Sequence, residues 1–303
     1  MDKKIVADPG WELYRSFLAV LQEGSLSAAA RALGLTQPTI GRHVDALEQA
    51  VGFALFTRSQ HGFMPTEAAL SLQPYAESLA ATTAALMRAA SAHGGAGEQV
   101  RGTVRITASE VIGVEVLPPI LLALKRSHPE LVIELALSSR IEDLLKREAD
   151  IAVRMLQPTQ EVLVARRIGA IELGLHAHKD YLALHGTPKD LPQLNEHAII
   201  GFDKETAFIR SAAKHMPTLR RSQFALRTSS DIAQLAMIRA GYGIGFCQTP
   251  LARRDANLVR VLTKQFSFKL ETWVVMHEDL RNSARVRVAF DALAAGLQEY
   301  IKQ

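Results

Sequence analysis

A chain of 303 residues, 48% hydrophobic and 22% charged, has room for about two globular domains and excludes a disordered or fibrous protein. The opening residues MDKKIVADPGWELY lack an apolar leader, and no later stretch reaches the ~18 uninterrupted apolar residues of a membrane span, so the sequence predicts a cytoplasmic protein with no membrane partner. Net charge is +4, yet residues 1–93 hold seven Lys or Arg against eight Asp or Glu, leaving that end at −1 and the excess in the rest of the chain. Any contact with nucleic acid must therefore come from the placement of a few cations. The single cysteine, Cys247, excludes an intramolecular disulfide and reads as a small buried hydrophobe.

From Trp11 to Glu23, apolar residues at Tyr14, Phe17, Leu18 and Leu21, widened by Leu13 and Val20, predict a well-buried first helix that Gly24 ends. Ser27 is expected to cap a two-turn helix that Gly34 terminates. Thr36 is expected to cap a third, with Pro38 tolerated in its first turn and Ile40, Val44, Leu47 and Val51 as its buried stripe. Residues 55–64 read as two short strands around a His-Gly turn. A long helix then runs from a Thr66 cap to about Ala92. Its residues Ala69, Leu72, Ala76, Leu79, Thr83 and Leu86 follow the 3-4 spacing of a coiled-coil seam, with Leu72, Leu79 and Leu86 the expected dimerisation contacts. The alternative is a helix packed on its own domain. Three glycines within residues 94–97 predict a hinge.

Beyond the hinge, strands at Thr103–Ala108, Val132–Leu137 and Asp150–Arg154 alternate with helices at Leu117–Lys125 and Glu142–Arg147. This βαβαβ order predicts a parallel sheet. Further strands are expected at Glu172–Ala177, Ala198–Phe202, Gln223–Arg227, Ile244–Cys247 and Thr272–Met276. Helices are expected at Ile232–Ala240 and about Ser283–Ile301. Two α/β lobes accommodate these elements better than one.

A short helix, a tight glycine turn and a second helix with polar residues at its start suit the DNA major groove, which admits one helix. Gln37, Pro38, Thr39, Arg42 and His43 lie off the apolar stripe and are expected to face outward. Arg42 suits a guanine edge or a phosphate, Gln37 an adenine edge and Pro38 a thymine methyl. Arg58 and His61, on the following hairpin, are placed for backbone or minor-groove contact.

Residues 9–70, with Phe17-Leu18-Ala19-Val20, Glu23-Gly24-Ser25-Leu26-Ser27-Ala28-Ala29-Ala30, Leu33-Gly34-Leu35-Thr36-Gln37-Pro38-Thr39, Arg42-His43, Leu47-Glu48, Leu55-Phe56-Thr57-Arg58 and Thr66-Glu67-Ala68, closely resemble the LysR-type transcriptional regulators. Gly102-Thr103, Ile106 and Leu117-Pro118 extend the match more loosely. The resemblance implies an α plus α/β chain: an N-terminal winged helix-turn-helix, a dimerising linker helix and a two-lobed, periplasmic-binding-protein-like effector domain. Its expected bounds are residues 9–66, with the helix-turn-helix at about 26–45, then 67–93, a hinge at 94–101, and 102–303. Lobe I is about 102–165 and 268–303, lobe II about 166–267. The implied function is sequence-specific, effector-modulated control of transcription by a homodimer or homotetramer on double-stranded promoter DNA, with room for contact with RNA polymerase and no cofactor. Gly41 departs from the family, which often has a small hydroxyl residue there.

By that similarity Thr107, Ser109, Glu110, Phe202, Ser229 and Ser230 line the effector cleft. Hydroxyls at helix N-termini suit a carboxylate, while Glu110, Asp203 and Asp231 suit a cationic or hydroxyl group, so a small polar or carboxylate-bearing metabolite is expected. The same Ser and Asp residues also serve as plain helix caps. His176 and His178 share a strand face, and with Asp180 or His185 form a weak metal alternative. No phosphate-binding, serine-hydrolase or zinc-protease motif is present, and the chain is not expected to be an enzyme. A pure solute-binding protein and a metabolic enzyme with an appended DNA module are the rival classes.

Overall fold

The computed structural model describes residues 9–59, 62–91, 100–138, 142–158, 160–204, 209 and 220–303. Contacts divide it into two compact units, one running to Met87 with Lys146–Glu148 grouped to it, the other comprising Arg88–Leu145 and Ala149–Gln303. The predicted hinge glycines lie outside the described residues.

In the first unit, α1 (Trp11–Glu23), α2 (Leu26–Leu33) and α3 (Gln37–Val51) close on Phe17, Val20, Ala29, Ile40, Val44 and Leu47, all buried. Each large aliphatic in that core contributes roughly 1.5–3 kcal/mol over its exposed state. The cap of α2 differs from expectation. Ser25, not Ser27, adopts the extended N-cap geometry and accepts from the Ala28 amide at 3.2 Å, while Ser27 lies inside the helix. Thr36 occupies the N-cap position of α3 without a side-chain bond to the backbone, because its hydroxyl pairs with Thr39 at 2.8 Å. Gly34 takes φ 67°, the left-handed region that disfavours a Cβ, and the turn between α2 and α3 depends on it.

β1 (Phe56–Ser59) and β2 (Gly62–Pro65) form the expected antiparallel hairpin. Phe56 packs against Phe17 and Phe63 with ring centroids 5.8 and 5.7 Å apart. Glu48 of α3 accepts from the amides of Leu55, at 2.6 Å, and Phe56, at 3.1 Å, which ties the hairpin to that helix. Thr66 accepts from the Ala69 amide at 3.1 Å and so caps α4 (Glu67–Ala90). The two readings of α4 divide between its halves. Ala69 and Ala76 are buried in the first unit's own core with Leu72 and Ala80 against it, whereas Tyr75, Leu79 and Leu86 are exposed. These three, with Thr82, recur at spacings of four, three and four, so the uncovered stripe is rotated from the predicted seam. Leu72 stands at the border between the two faces.

The second unit begins with β3 (Gly102–Ala108), a π-helical turn at Ile112–Val116, α5 (Leu117–Ser127), β4 (Leu131–Leu137), α6 (Glu142–Leu145) and β5 (Ile151–Arg154). β3 pairs in parallel with both β4 and β5, as the βαβαβ order requires. Next come β6 (Leu163–His178), α7 (Lys179–His185), β7 (Ile199–Gly201), β8 (Phe224–Arg227), α8 (Asp231–Arg239), β9 (Gly245–Gln248), α9 (Thr249–Ala252), β10 (Leu258–Val261), β11 (Phe268–His277) and α10 (Ala284–Lys302). The main sheet has the order β10-β6-β11-β5-β3-β4, with β9 also on β6, and β7 pairs with β8 in parallel. The sheet is mixed: β6 is antiparallel to β9, β10 and β11, and β11 is antiparallel to β5.

β6 is much longer than the predicted Glu172–Ala177 strand. Its first part, polar at Arg166 and Arg167, is held by β11 from Leu163 opposite His277 to Leu173 opposite Phe268, and only its last part meets β9 and β10. The pairing partner, about a hundred residues away along the chain, makes this a strand. β6 and β11 thus run from one lobe into the other. One apolar core joins Val104, Ile106, Val116, Leu117 and Leu293 of the first lobe to Ile200, Leu235, Ile238 and Cys247 of the second. Burial pushes the Cys247 thiol up to about 12, in keeping with a buried hydrophobe. A second cluster lies under the distal part of β6, around Leu175, Tyr181, Ile244 and Val261.

A buried charge cluster secures one edge of this unit. Asp150 accepts from Arg88 Nε at 3.1 Å, from the Arg105 amide at 2.9 Å and from Arg285 Nη1 at 3.4 Å, and all three charged side chains are buried. Among the described residues no helix is long and apolar enough to cross a membrane.

Candidate functional site

The outward face of α3 begins with Gln37 and Pro38, both exposed, with Thr39 half-buried. Arg42, one turn on, is exposed and has no hydrogen-bond or ion-pair partner among the described residues. His43 departs from the expected outward set: it is half-buried and its Nδ1 is hydrogen-bonded to the buried Ser16 hydroxyl at 2.8 Å, which ties α3 to α1. Gln37 is positioned by a contact that α-helical periodicity does not reveal. The Ser27 hydroxyl donates to Gln37 Oε1 at 2.8 Å across the turn, which directs the side-chain amide donors away from the bond. A Cβ added at Gly41 would meet only Leu26 Cδ1 at 3.9 Å, so glycine is not demanded there by packing. Arg58 lies in β1 and His61 lies outside the described residues.

In the second unit, Ser109 and Glu110 follow β3, while Ser229 and Ser230 follow β8. The structure brings these two loops together: Glu110 Oε2 accepts from the Ser230 hydroxyl at 2.7 Å and from the Ile232 amide at 3.2 Å. Ser230 itself caps α8 by accepting from the Ala233 amide at 3.2 Å. Phe202 leaves β7 at the same end of the parallel β7–β8 pair, since Gly201 stands opposite Arg227. Thr107 is the exception. It is only 1% exposed, and its hydroxyl donates to Ser138 O at 3.1 Å while accepting from Arg154 Nη2 at 3.2 Å, so it offers a ligand no surface.

The far end of α8 carries a second contact between the lobes. Arg239 donates to both carboxylate oxygens of Glu115 at 2.6 and 2.9 Å, and this bidentate hydrogen bond holds the Glu115 carboxyl below the usual range. A groove of about 600 Å³ lies elsewhere, between α5 and α10, bordered by Ile120, Leu124, Val288 and Ala292.

The histidines considered for a metal are engaged separately. Burial lowers the pKa of His176 to about 4, and its Nδ1 donates to Gly174 O at 3.1 Å. His178 accepts from the Asp180 amide at 3.2 Å, and His185 stacks on Tyr181.

Residues 97–298 match the LysR substrate binding domain, and residues 11–70 match the bacterial regulatory helix-turn-helix protein of the lysR family. This chain belongs to the LysR family. Its members are transcriptional regulators with a helix-turn-helix DNA-binding domain and an effector-binding domain, not enzymes. An HTH-type transcriptional regulator of Xanthomonas campestris is 30% identical over 188 residues, an alignment spanning 62% of this chain and 54% of that one. The regulator PgrR of Escherichia coli is 27% identical over 82% of this chain and 85% of its own. The full-length structure of AphB of Vibrio cholerae shares the fold with a TM-score of 0.62 at 20% identity, over 94% of this chain and 99% of that one.

The residues around these candidate sites that the sequence does not reveal are the supporting ones. Ser27 gave no signal because it reads as a cap. Glu48 stands off the apolar stripe of α3, but nothing in a helical pattern says it reaches forward seven residues. Glu115 and Arg239 are 124 residues apart, beyond any local pattern.

Proposed function

We propose that this LysR-type regulator reads DNA with the exposed start of α3, Arg42 and Gln37 supplying the base-edge contacts with Pro38 and Thr39 beside them, and that it responds to a small polar metabolite held between its two lobes. The observation that carries the first half is Arg42: an exposed guanidinium one turn into α3, with no partner among the described residues, in a unit whose net charge cannot supply affinity by itself. Oligomerisation multiplies a weak single contact. The uncovered stripe of Tyr75, Leu79 and Leu86 on α4 is the surface proposed for it. For the second half, the support is the convergence of Glu110 with Ser230, at loops that the resemblance assigns to the effector.

Arg42→Ala is expected to lower affinity for the protein's specific promoter operator by about tenfold or more, the value of one bidentate base contact. Weak binding to unrelated DNA at low salt is expected to remain, because phosphate contacts supply it. Footprints and titrations indistinguishable from the parent protein would remove Arg42 from the interface.

A further inference from the structure

Helix α8 is tied to the first lobe at both of its ends, and both ties come from one short stretch. Glu110 reaches its N-terminus, accepting from the Ser230 hydroxyl and the Ile232 amide; Glu115, five residues later, pairs with Arg239 in its last turn. The two ties differ in support. At the Arg239 end, Leu235 and Ile238 belong to the core that runs through both lobes, and Arg254 donates to the Glu115 carbonyl at 3.3 Å, so charge, backbone and apolar packing act together. At the Glu110 end the apolar support is thinner, Val111 and Ile232 being only partly buried against that core; Ser229 is exposed, burial and the neighbouring Glu110 charge raise the Asp231 pKa, and the Glu110 carboxylate is the polar tie.

The first turn of α8 presents unpaired amides, and a helix N-terminus favours negative charge. In this chain that negative charge is already present. We propose that Glu110 acts as an internal ligand: its carboxylate fills the N-terminal seat of α8, latches the lobes at the cleft end while the Glu115–Arg239 end serves as the fixed pivot, and denies that seat to a carboxylate from solution. Glu110 is therefore a specificity-determining residue. The effector turns a neutral or cationic group toward this end of the cleft, since a free carboxylate would face Glu110 with the Ile232 amide and the Ser230 hydroxyl already used. The inference rests on the reading of this cleft as the effector site, but the latch is measurable without effector or DNA.

The test is hydrogen exchange on the full-length protein, following peptides across Thr228–Ala240, with sodium acetate as the carboxylate probe. In Glu110→Ala the Ile232 amide is expected to exchange about tenfold faster, the loss of one charge-assisted bond, while peptides from β3 and α5 keep their parent rates. Acetate is expected to restore protection in Glu110→Ala by entering the vacated seat and to leave the parent protein unchanged. Should Glu110→Ala fold poorly, Glu110→Gln keeps the shape and loses the charge, and a smaller acceleration at Ile232 is expected. Unchanged exchange at Ile232 in both variants would show that the latch does not form in solution. Acetate protecting the parent as well as the variant would show that the seat is open. An effector found to bind elsewhere would leave both of these results standing, so the latch and the reading of this cleft as the effector site fail separately.

Discussion

In the first unit the side-chain bonds that fix the elements span short distances along the chain: Ser25 to Ala28, Glu48 to Leu55, Thr66 to Ala69, and at the longest Ser16 to His43, 27 residues apart. In the second, Asp150 is bonded to Arg88, 62 residues before it, and to Arg285, 135 residues after it, while Glu110 and Ser230 are 120 apart. The contrast follows from topology. Three short helices and a hairpin close a small core among neighbours, whereas a two-lobed domain whose long strands pass twice between the lobes must join distant parts of the chain. The proposed DNA-reading face is thus assembled from local chemistry. The proposed ligand cleft is assembled from long-range contacts.

The comparison makes graded predictions. The largest concerns Asp150. Asp150→Ala leaves Arg88 and Arg285 buried without their shared anion, and removing one partner of a buried ion pair costs about 3–5 kcal/mol. Denaturant unfolding should show that loss in the second unit. A change below ~1 kcal/mol would mean that water or backbone carbonyls replace the carboxylate.

His176 should produce an effect of up to about 3 kcal/mol, and only in acid. Its folded pKa of about 4 lies below the ordinary 6.5. Between those values the unfolded chain takes up a proton that the folded chain refuses. This contribution is therefore harmless above the unfolded value and erodes stability as the pH falls toward 4. His176→Asn should flatten the pH dependence of unfolding in that window, by at most about 1.4 kcal/mol per pH unit. Equal slopes for the two proteins would place the acid sensitivity elsewhere.

The smallest effect belongs to the local devices of the first unit. Ser25→Ala should cost about 1 kcal/mol through loss of the α2 cap, and Ser27→Ala about half that or less, since its bond to Gln37 is exposed. Thermal unfolding of both variants decides between them. The reverse order would restore Ser27 as the cap.

Much of the first unit was legible because its signals are local. The bounds of α1 followed from its apolar spacing and Gly24, and the stripe of α3 followed from Ile40, Val44 and Leu47. The errors there are also local: two serines two residues apart compete for one cap, and only backbone geometry decides between them. His43 misled for a different reason. Periodicity placed it off the apolar stripe, but α1 presents a buried hydroxyl at that point, and a polar pair forms where a solvated side chain was expected. In the second unit the βαβ alternation was readable, yet β10 was missed and β6 foreshortened, since both are strands by virtue of their partners.

The sequence by itself determined that this chain carries a helix-turn-helix with Gln37 and Arg42 in the first two turns of its second helix, because turn glycines, caps and a 3.6-residue period act within one or two turns of helix. Only the tertiary structure decided that half of the α4 seam is spent on its own domain, that Thr107 is sealed inside the first lobe, and that Glu110 closes on α8. Each of these depends on which distant surface covers a side chain, and burial and hydrogen-bond satisfaction are properties of the packed whole.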